Sequence, residues 1–297
     1  LNPTTKIVCM VKAFGYGAGS YELAKTLQDR GADYLAVAVA DEGAELRKAG
    51  ITMPIIVMNP EISSFRTLFS YFLEPEIYSF ALLEKIIHEG ERLGVTNYPV
   101  HIKIDSGMHR LGFEEKDMDR LIETLKAPNV IVPRSVFSHL AGRDSPQFDD
   151  FTLNQIELFT RCADRLQTLT PHRILRHILN TAGITRFTDY QMDMVRLGIG
   201  LYGVSPLEEG EPGLKTASTL KSTILEIKDL KQSETVGYGR KGILSRDSRI
   251  AAVPIGYADG LDRQQLPVTE IARIIDTIPY EILTSVSSRV KRVYYRE

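Results

Sequence analysis

The chain predicts an α/β architecture, a (β/α)8 TIM-type barrel followed by a mainly β C-terminal domain. Three observations predict it. Eight short apolar runs recur between Lys6 and Tyr202, amphipathic stretches at helical spacing separate most of them, and the texture turns to strand-like alternation after Pro206. The runs are Lys6 to Val11, Tyr34 to Val39, Ile55 to Met58, Leu73 to Tyr78, Val100 to Ile104, Val130 to His139, Ile174 to Leu179 and Val195 to Tyr202. Between them, Tyr21 to Arg30, Asp41 to Ala49, Ser63 to Phe72, Phe80 to Leu93, Glu114 to Leu125 and Phe148 to Leu169 carry apolar residues at helical spacing. Strand and helix alternate, so the sheet is expected to be parallel, and eight units suit a closed barrel better than an open doubly wound sheet. The polar turn cluster Glu208 to Gly213 divides the chain into domains at 1–215 and 216–297. In the second, Ser222 to Leu230 and Arg249 to Ile255 read as strands, Val268 to Ile278 as a helix and Arg289 to Tyr295 as a closing strand.

Composition sets the class. Hydrophobic residues make up 43% of the 297 residues and charged residues 25%, enough to bury a full core. A net charge of -2 gives no basic field for nucleic acid or anionic lipid. Cys9 and Cys162 lack metal-ligand spacing and read as small buried residues. No apolar stretch is long enough to span a bilayer, and no secretory pattern opens the chain, so a cytoplasmic enzyme is expected. The chain starts at Leu1 and enters its first strand almost at once, so an upstream segment is also expected.

A parallel barrel builds its site at the carboxyl ends of its strands. Lys12 ends the first apolar run and opens the glycine-rich loop Gly15-Tyr16-Gly17-Ala18-Gly19, which makes it a candidate buried amine for Schiff-base chemistry. A lysine there also fits a side chain whose stem lines the strand while its ammonium reaches water. Strand five runs into Asp105 to Arg110, strand six into Ser138-His139, strand seven into Asn180-Thr181, and strand eight carries Arg196 to Ile199. An amine, hydroxyls, arginines and a glycine that lets backbone approach an anion closely are tools for a phosphorylated aldehyde, and the set fits pyridoxal 5'-phosphate.

These residues carry a resemblance that spans nearly the whole chain. Val11-Lys12-Ala13-Phe14-Gly15-Tyr16-Gly17-Ala18-Gly19 resembles the cofactor-lysine signature of the alanine racemases, pyridoxal phosphate enzymes built from a barrel and a β-domain. Lys103 to Gly112, Ser138-His139, His177 to Ala182, Val195 to Ile199 with Leu201-Tyr202-Gly203, Val236 to Arg240, and Pro254 to Gly260 are similar to further family motifs, in family order. The resemblance implies an alanine racemase supplying D-alanine for peptidoglycan. Lys12 would hold the cofactor and act as one base at the substrate Cα, with Tyr238 as the other. His139, Arg196 and His177 would support them, Arg196 facing the pyridine nitrogen without giving up its proton. Tyr16, Asn180, Thr181, Gly198, Ile199 and Ser288 would hold the cofactor, Arg110 and Tyr257 the substrate, and Lys103 matches a position often carbamylated. A head-to-tail homodimer is implied, in which Tyr238 serves the other copy's barrel.

The chain also departs from the family. Gln265 runs straight into Leu266-Pro267-Val268-Thr269-Glu270, which resembles a segment found well downstream, and the strands with a Cys-Met-Asp type motif are missing, so the β-domain is expected to be incomplete around 265/266. Phe14-Gly15 replaces a more usual Asn-Ala, and Ser288 stands where a tyrosine is common. Rival readings are a racemase for another small amino acid such as serine, a non-catalytic pyridoxal phosphate carrier, and an inactive module of a chain fused to another cell-wall enzyme.

Overall fold

The fold is taken from a computed structural model, which describes residues 1–126, 130–142, 145–204, 222–240 and 242–254. The chain divides into two compact units, Leu1–Leu214 and Lys215–Glu297.

In the first unit eight strands form one parallel sheet: β1 (Lys6–Met10), β2 (Tyr34–Val37), β3 (Ile55–Val57), β4 (Glu74–Ile77), β5 (Tyr98–Lys103), β6 (Ile131–Phe137), β7 (Leu175–His177) and β8 (Met194–Leu197). Their order is β7-β6-β5-β4-β3-β2-β1-β8, and all the ladders are parallel. The seam between β7 and β8 is drawn together by Asp193 N donating to Arg176 O at 3.1 Å and Arg196 N to Leu179 O at 2.9 Å. The result is a nearly closed barrel. Helices Ser20–Asp29, Ala40–Lys48, Phe65–Ser70, Phe80–Leu93, Met118–Lys126, Asp149–Gln167 and Thr181–Arg186 follow the first seven strands in turn. The last of these has no counterpart among the sequence-based expectations, because six residues are too few to display a helical period.

Side chains alternate along each strand. One set, with Cys9, Leu35, Val37, Ile55, Val57, Ile77, Val100, Ile102, Val136 and Val195, packs against the helices in the main core. The other set fills the barrel lumen. Val8, Tyr34, Ala36, Ile56 and Met194 cluster there on one side. Helix Phe80–Leu93 shows how the outer layer is specified: Ser79 accepts from Leu82 N at its start, Gly94 ends it in the left-handed region, and Leu82, Leu83 and Ile86 are buried. Full burial of each such side chain stabilises by about 1.5–3 kcal/mol.

The second unit holds two antiparallel pairs among its described residues. β9 (Glu226–Leu230) pairs with β12 (Ser248–Ala252), and β10 (Thr235–Val236) with β11 (Gly242–Ile243). The expected helix at Val268 to Ile278 and strand at Arg289 to Tyr295 lie outside the described residues, as do Glu208 to Gly213 and the Gln265/Leu266 junction.

Candidate active site at the barrel mouth

β1 ends at Met10, and Lys12 leads into a turn whose backbone is left-handed at five consecutive residues: Ala13 (φ 53°), Phe14 (54°), Gly15 (61°), Tyr16 (55°) and Gly17 (89°). Two of the five are glycine, and each of the other three gives up roughly 1–2 kcal/mol to sit there. The surroundings must therefore hold the turn. Gly17 N donates to Ala13 O at 3.2 Å and Gly19 N to Phe14 O at 3.0 Å, while the Glu42 carboxylate accepts from Ala13 N and Ala38 N, both at 2.7 Å. Lys12 is half-buried rather than the buried amine expected from its apolar strand, because the chain leaves the strand one residue earlier and the turn carries Lys12 to the rim.

Tyr16 and Tyr202 pack ring against ring at 4.7 Å, and Tyr202 Oη donates to Met10 O at 2.9 Å. The Thr181 hydroxyl oxygen accepts from Gly198 N at 3.0 Å and Gly200 N at 3.3 Å. A Cβ placed on Gly198 would lie 3.6 Å from Thr181 Oγ1 and 3.7 Å from Tyr16 Oη, so the glycine leaves open a spot that two hydroxyls address. The strict steric need for glycine lies two residues on: a Cβ on Gly200 would meet Thr181 Cγ2 at 2.5 Å. Ile199 follows in the 3-10 turn Ile199–Tyr202, where apolar residues that read as strand continue the chain across the mouth instead.

Arg196 is buried on β8. Its Nη1 donates to His177 Nδ1 at 3.1 Å and to His177 O at 3.2 Å, and its Nη2 donates to Ser138 O at 2.5 Å and Ile178 O at 3.1 Å. His139 Nδ1 lies 3.3 Å from Arg196 Nη2, and His139 Nε2 lies 3.4 Å from Asn180 Nδ2. Both neighbours donate, and a neutral imidazole has one acceptor nitrogen, so only one of these long contacts is a hydrogen bond at a time. Asn180 also caps helix Thr181–Arg186 by accepting from Gly183 N. His177 stacks on Phe137 with ring centroids 4.8 Å apart, and burial, together with Arg196, His101 and Lys103, holds its pKa well below the usual imidazole range. It is neutral at physiological pH.

Lys103 is buried, with Nζ 4.3 Å from the Phe137 ring centroid and 3.4 Å from Glu76 Oε1. That is ion-pair distance, yet the carboxylate oxygen lacks a well-formed hydrogen bond. Burial pushes the Glu76 carboxyl up and the Lys103 ammonium down, each partly offset by the other. Glu76 is a polar residue that sequence reasoning missed; the signal available was the alternation Glu74-Pro75-Glu76 inside an apolar run. The loop after β5 is tied back by Asp105, whose Oδ1 accepts from Gly107 N and His109 N, both at 3.0 Å, and Arg110 stands exposed beyond it.

The mouth thus gathers Tyr16, His139, Asn180, Thr181, His177, Arg196 and Gly198 around the strand ends beside Lys12, with Lys103 deeper in the lumen. Tyr238 belongs to the second unit, in the turn Tyr238–Arg240 between β10 and β11, flanked by Gly237 (φ 80°) and Gly239 (φ 67°). Tyr257 and Ser288 lie outside the described residues. A cavity of about 610 Å³ opens at the opposite end of the β7–β8 seam, lined by Gln167, Arg173, Arg176 and Asp193, and holds none of the candidate residues. Among the described residues no helix is long and apolar enough to cross a membrane.

Residues 1–206 match the family described as alanine racemase, N-terminal domain, and residues 217–267 the alanine racemase C-terminal domain. Alanine racemase 2 of Caldanaerobacter subterraneus subsp. tengcongensis is 31% identical over 343 aligned positions, covering 97% of this chain and 88% of that protein. Alanine racemase 1 of Oceanobacillus iheyensis is 33% identical, covering 89% of this chain and 70% of that one. Among solved structures, the alanine racemase of Clostridium difficile 630 superposes with a TM-score of 0.81 at 35% identity, covering 89% of this chain and 70% of that chain. The 343 aligned positions exceed the 297 residues here, so the first relative carries stretches that this chain lacks. The C-terminal match stops at residue 267, beside the Gln265/Leu266 junction.

Proposed function

The chain belongs to the alanine racemase family, and we propose that it interconverts L-alanine and D-alanine with pyridoxal 5'-phosphate, as a cytoplasmic source of D-alanine for peptidoglycan. The observation that carries this reading is the open spot at Gly198, flanked by the Thr181 and Tyr16 hydroxyls, at the strand end next to Lys12. A phosphate suits such a place, since hydroxyls and close backbone can satisfy its oxygens. Tyr16, Asn180, Thr181, Gly198, Ile199 and, from the second unit, Ser288 would hold the cofactor, with Lys12 as its covalent anchor. When bound, pyridoxal phosphate supplies an electron-withdrawing ring conjugated to the substrate nitrogen, which acidifies the Cα proton.

The protein's own groups then decide the outcome. Lys12 removes or returns the Cα proton on one face and Tyr238 on the other. Tyr238 needs a basic environment, because a phenol of ordinary pKa near ~10 is a poor base at neutral pH. His139 and Arg196 support it in this reading. Arg196 presents a guanidinium that keeps its proton, so it would donate to the pyridine nitrogen of a bound cofactor without protonating it. Arg110 and Tyr257 meet the substrate. Lys103 is the residue for carbamylation, a reaction of the neutral amine that its lowered pKa favours. Tyr238 reaches the barrel of a second copy, making the homodimer the active species.

The test is D-alanine formation from L-alanine by purified protein with added pyridoxal phosphate, alongside Lys12→Ala. Turnover in the parent and a loss of at least about a thousandfold in an equally folded Lys12→Ala protein is the expected result. Cofactor absorbance without turnover on alanine would overturn it in favour of a carrier, and turnover on serine alone in favour of a different substrate.

A further inference from the structure

The Arg196 and His177 contact is the last link of a longer chain. His177 Nε2 lies 2.9 Å from Ser135 Oγ, Ser135 Oγ lies 2.6 Å from His101 Nδ1, and His101 Nε2 lies 2.9 Å from Glu74 Oε2. Ser135, His101 and His177 are all at most 1% exposed. The chain takes one residue from each of five successive strands, β4 to β8, and crosses the lumen from the amino end of β4 to the carboxyl end of β8. Local backbone supports it. The ladder between β5 and β6 shifts register between Val100 and His101, so that Val100 faces Pro133 but His101 faces Ser135. The extra residue is Arg134, and Pro133, which has no N–H to pair, suits the irregularity.

We propose that Ser135, His101 and Glu74 are positioning residues for Arg196, forming with His177 a one-way hydrogen-bond chain that fixes both imidazoles as single tautomers and so fixes the guanidinium. The direction follows from chemistry. Arg196 can only donate, so His177 Nδ1 is a lone pair. Neutral His177 then carries its proton on Nε2 and donates to Ser135. The Ser135 hydroxyl donates onward to His101 Nδ1, and His101 Nε2–H donates to the Glu74 carboxylate. A doubly protonated His101 would leave the buried Ser135 hydroxyl with an acceptor's role on both sides and its own proton stranded, which is costly for a buried group. Polarisation runs the same way along the chain, each acceptor strengthening the next donor, with the negative charge at the far end. This inference rests on the reading of Arg196 as a cofactor-facing residue.

The experiment uses the pyridoxal phosphate-loaded protein with ¹⁵N-labelled histidine. Nitrogen–proton correlation spectra should show His177 and His101 neutral, both protonated at Nε2. Ser135→Ala should abolish the fixed His101 tautomer and lower kcat about tenfold or more with KM little changed, whereas Glu74→Gln, which keeps an acceptor, should retain both tautomers and lose less. A doubly protonated His101, an Nδ1 proton on His177, or native tautomers and kcat in Ser135→Ala would each overturn the proposal. The tautomers are read without turnover, so an inactive parent protein with both rings in the stated form would sink the racemase reading and leave the chain standing.

Discussion

The two halves of the barrel lumen differ in kind. Where β8, β1, β2 and β3 face inward, Val8, Tyr34, Ala36, Ile56 and Met194 pack as a small apolar plug. Where β4 to β8 face inward, Glu74, Glu76, His101, Lys103, Ser135, His177 and Arg196 fill the same interior with charge and hydrogen bonds. Packing alone would have favoured the first solution throughout, because replacing a buried ion pair with apolar residues is often neutral or stabilising. The polar half is retained where it ends on Arg196, at the mouth. One half holds the barrel shut, and the other aims a guanidinium.

The strongest way to break this contrast is Glu76→Leu in protein whose Lys103 is uncarbamylated, which leaves the Lys103 amine buried without its counter-charge. A loss of about 3–5 kcal/mol is expected, with most of it recovered in the double variant Glu76→Leu/Lys103→Met. Urea unfolding of the three proteins decides it, and equal midpoints for the single variant and the parent would refute the ion pair's structural role. In the apolar half, Ile56→Ala should lose about 2–5 kcal/mol by opening a cavity, with kcat unaltered below its unfolding transition. A kcat that fell along with stability would mean that the plug also shapes the site. The smallest effect is set by pH. His177 titrates well below its unfolded value of about 6.5, so the folded protein stays unprotonated there while the unfolded chain takes up a proton. Stability is therefore flat above about pH 7 and falls as pH drops below 6.5, by about 1.4 kcal/mol at pH 5.5 from this one group. His177→Gln should remove that share of the slope in unfolding midpoints measured from pH 7.5 to 5.5; an unchanged slope would assign it elsewhere.

What the sequence made legible follows the same division. Parallel strands buried on both faces read as continuous apolar runs, so Tyr34 to Val37 and Ile55 to Val57 stand out at once. Glu74, His101 and Ser135 interrupt their runs instead, and a polar residue inside an apolar run looks like noise until the lumen face is known. Apolar residues that pass into turns lengthen the apparent strands, as at Ile199 to Tyr202. Lys12, Arg196 and Thr181 could be singled out because strand ends are where polar residues collect. Glu42 could not: its bond from Ala38 N is a local one at the start of its own helix, but its bond from Ala13 N depends on three-dimensional proximity alone.

The lumen chain has a consequence for assembly of the site. A slip of one residue in any strand turns its inward side chains out toward the helices. Because each of β4, β5, β6, β7 and β8 contributes a single link, the side-chain chain behind Arg196 is complete only when five neighbouring strands have all found their partners, while the carbonyls of Ser138, His177 and Ile178 hold the guanidinium from the mouth side. A half-formed barrel would present a loose guanidinium and a mouth unfit for its ligand. Register across five strands is thereby a condition on where the guanidinium stands at the mouth.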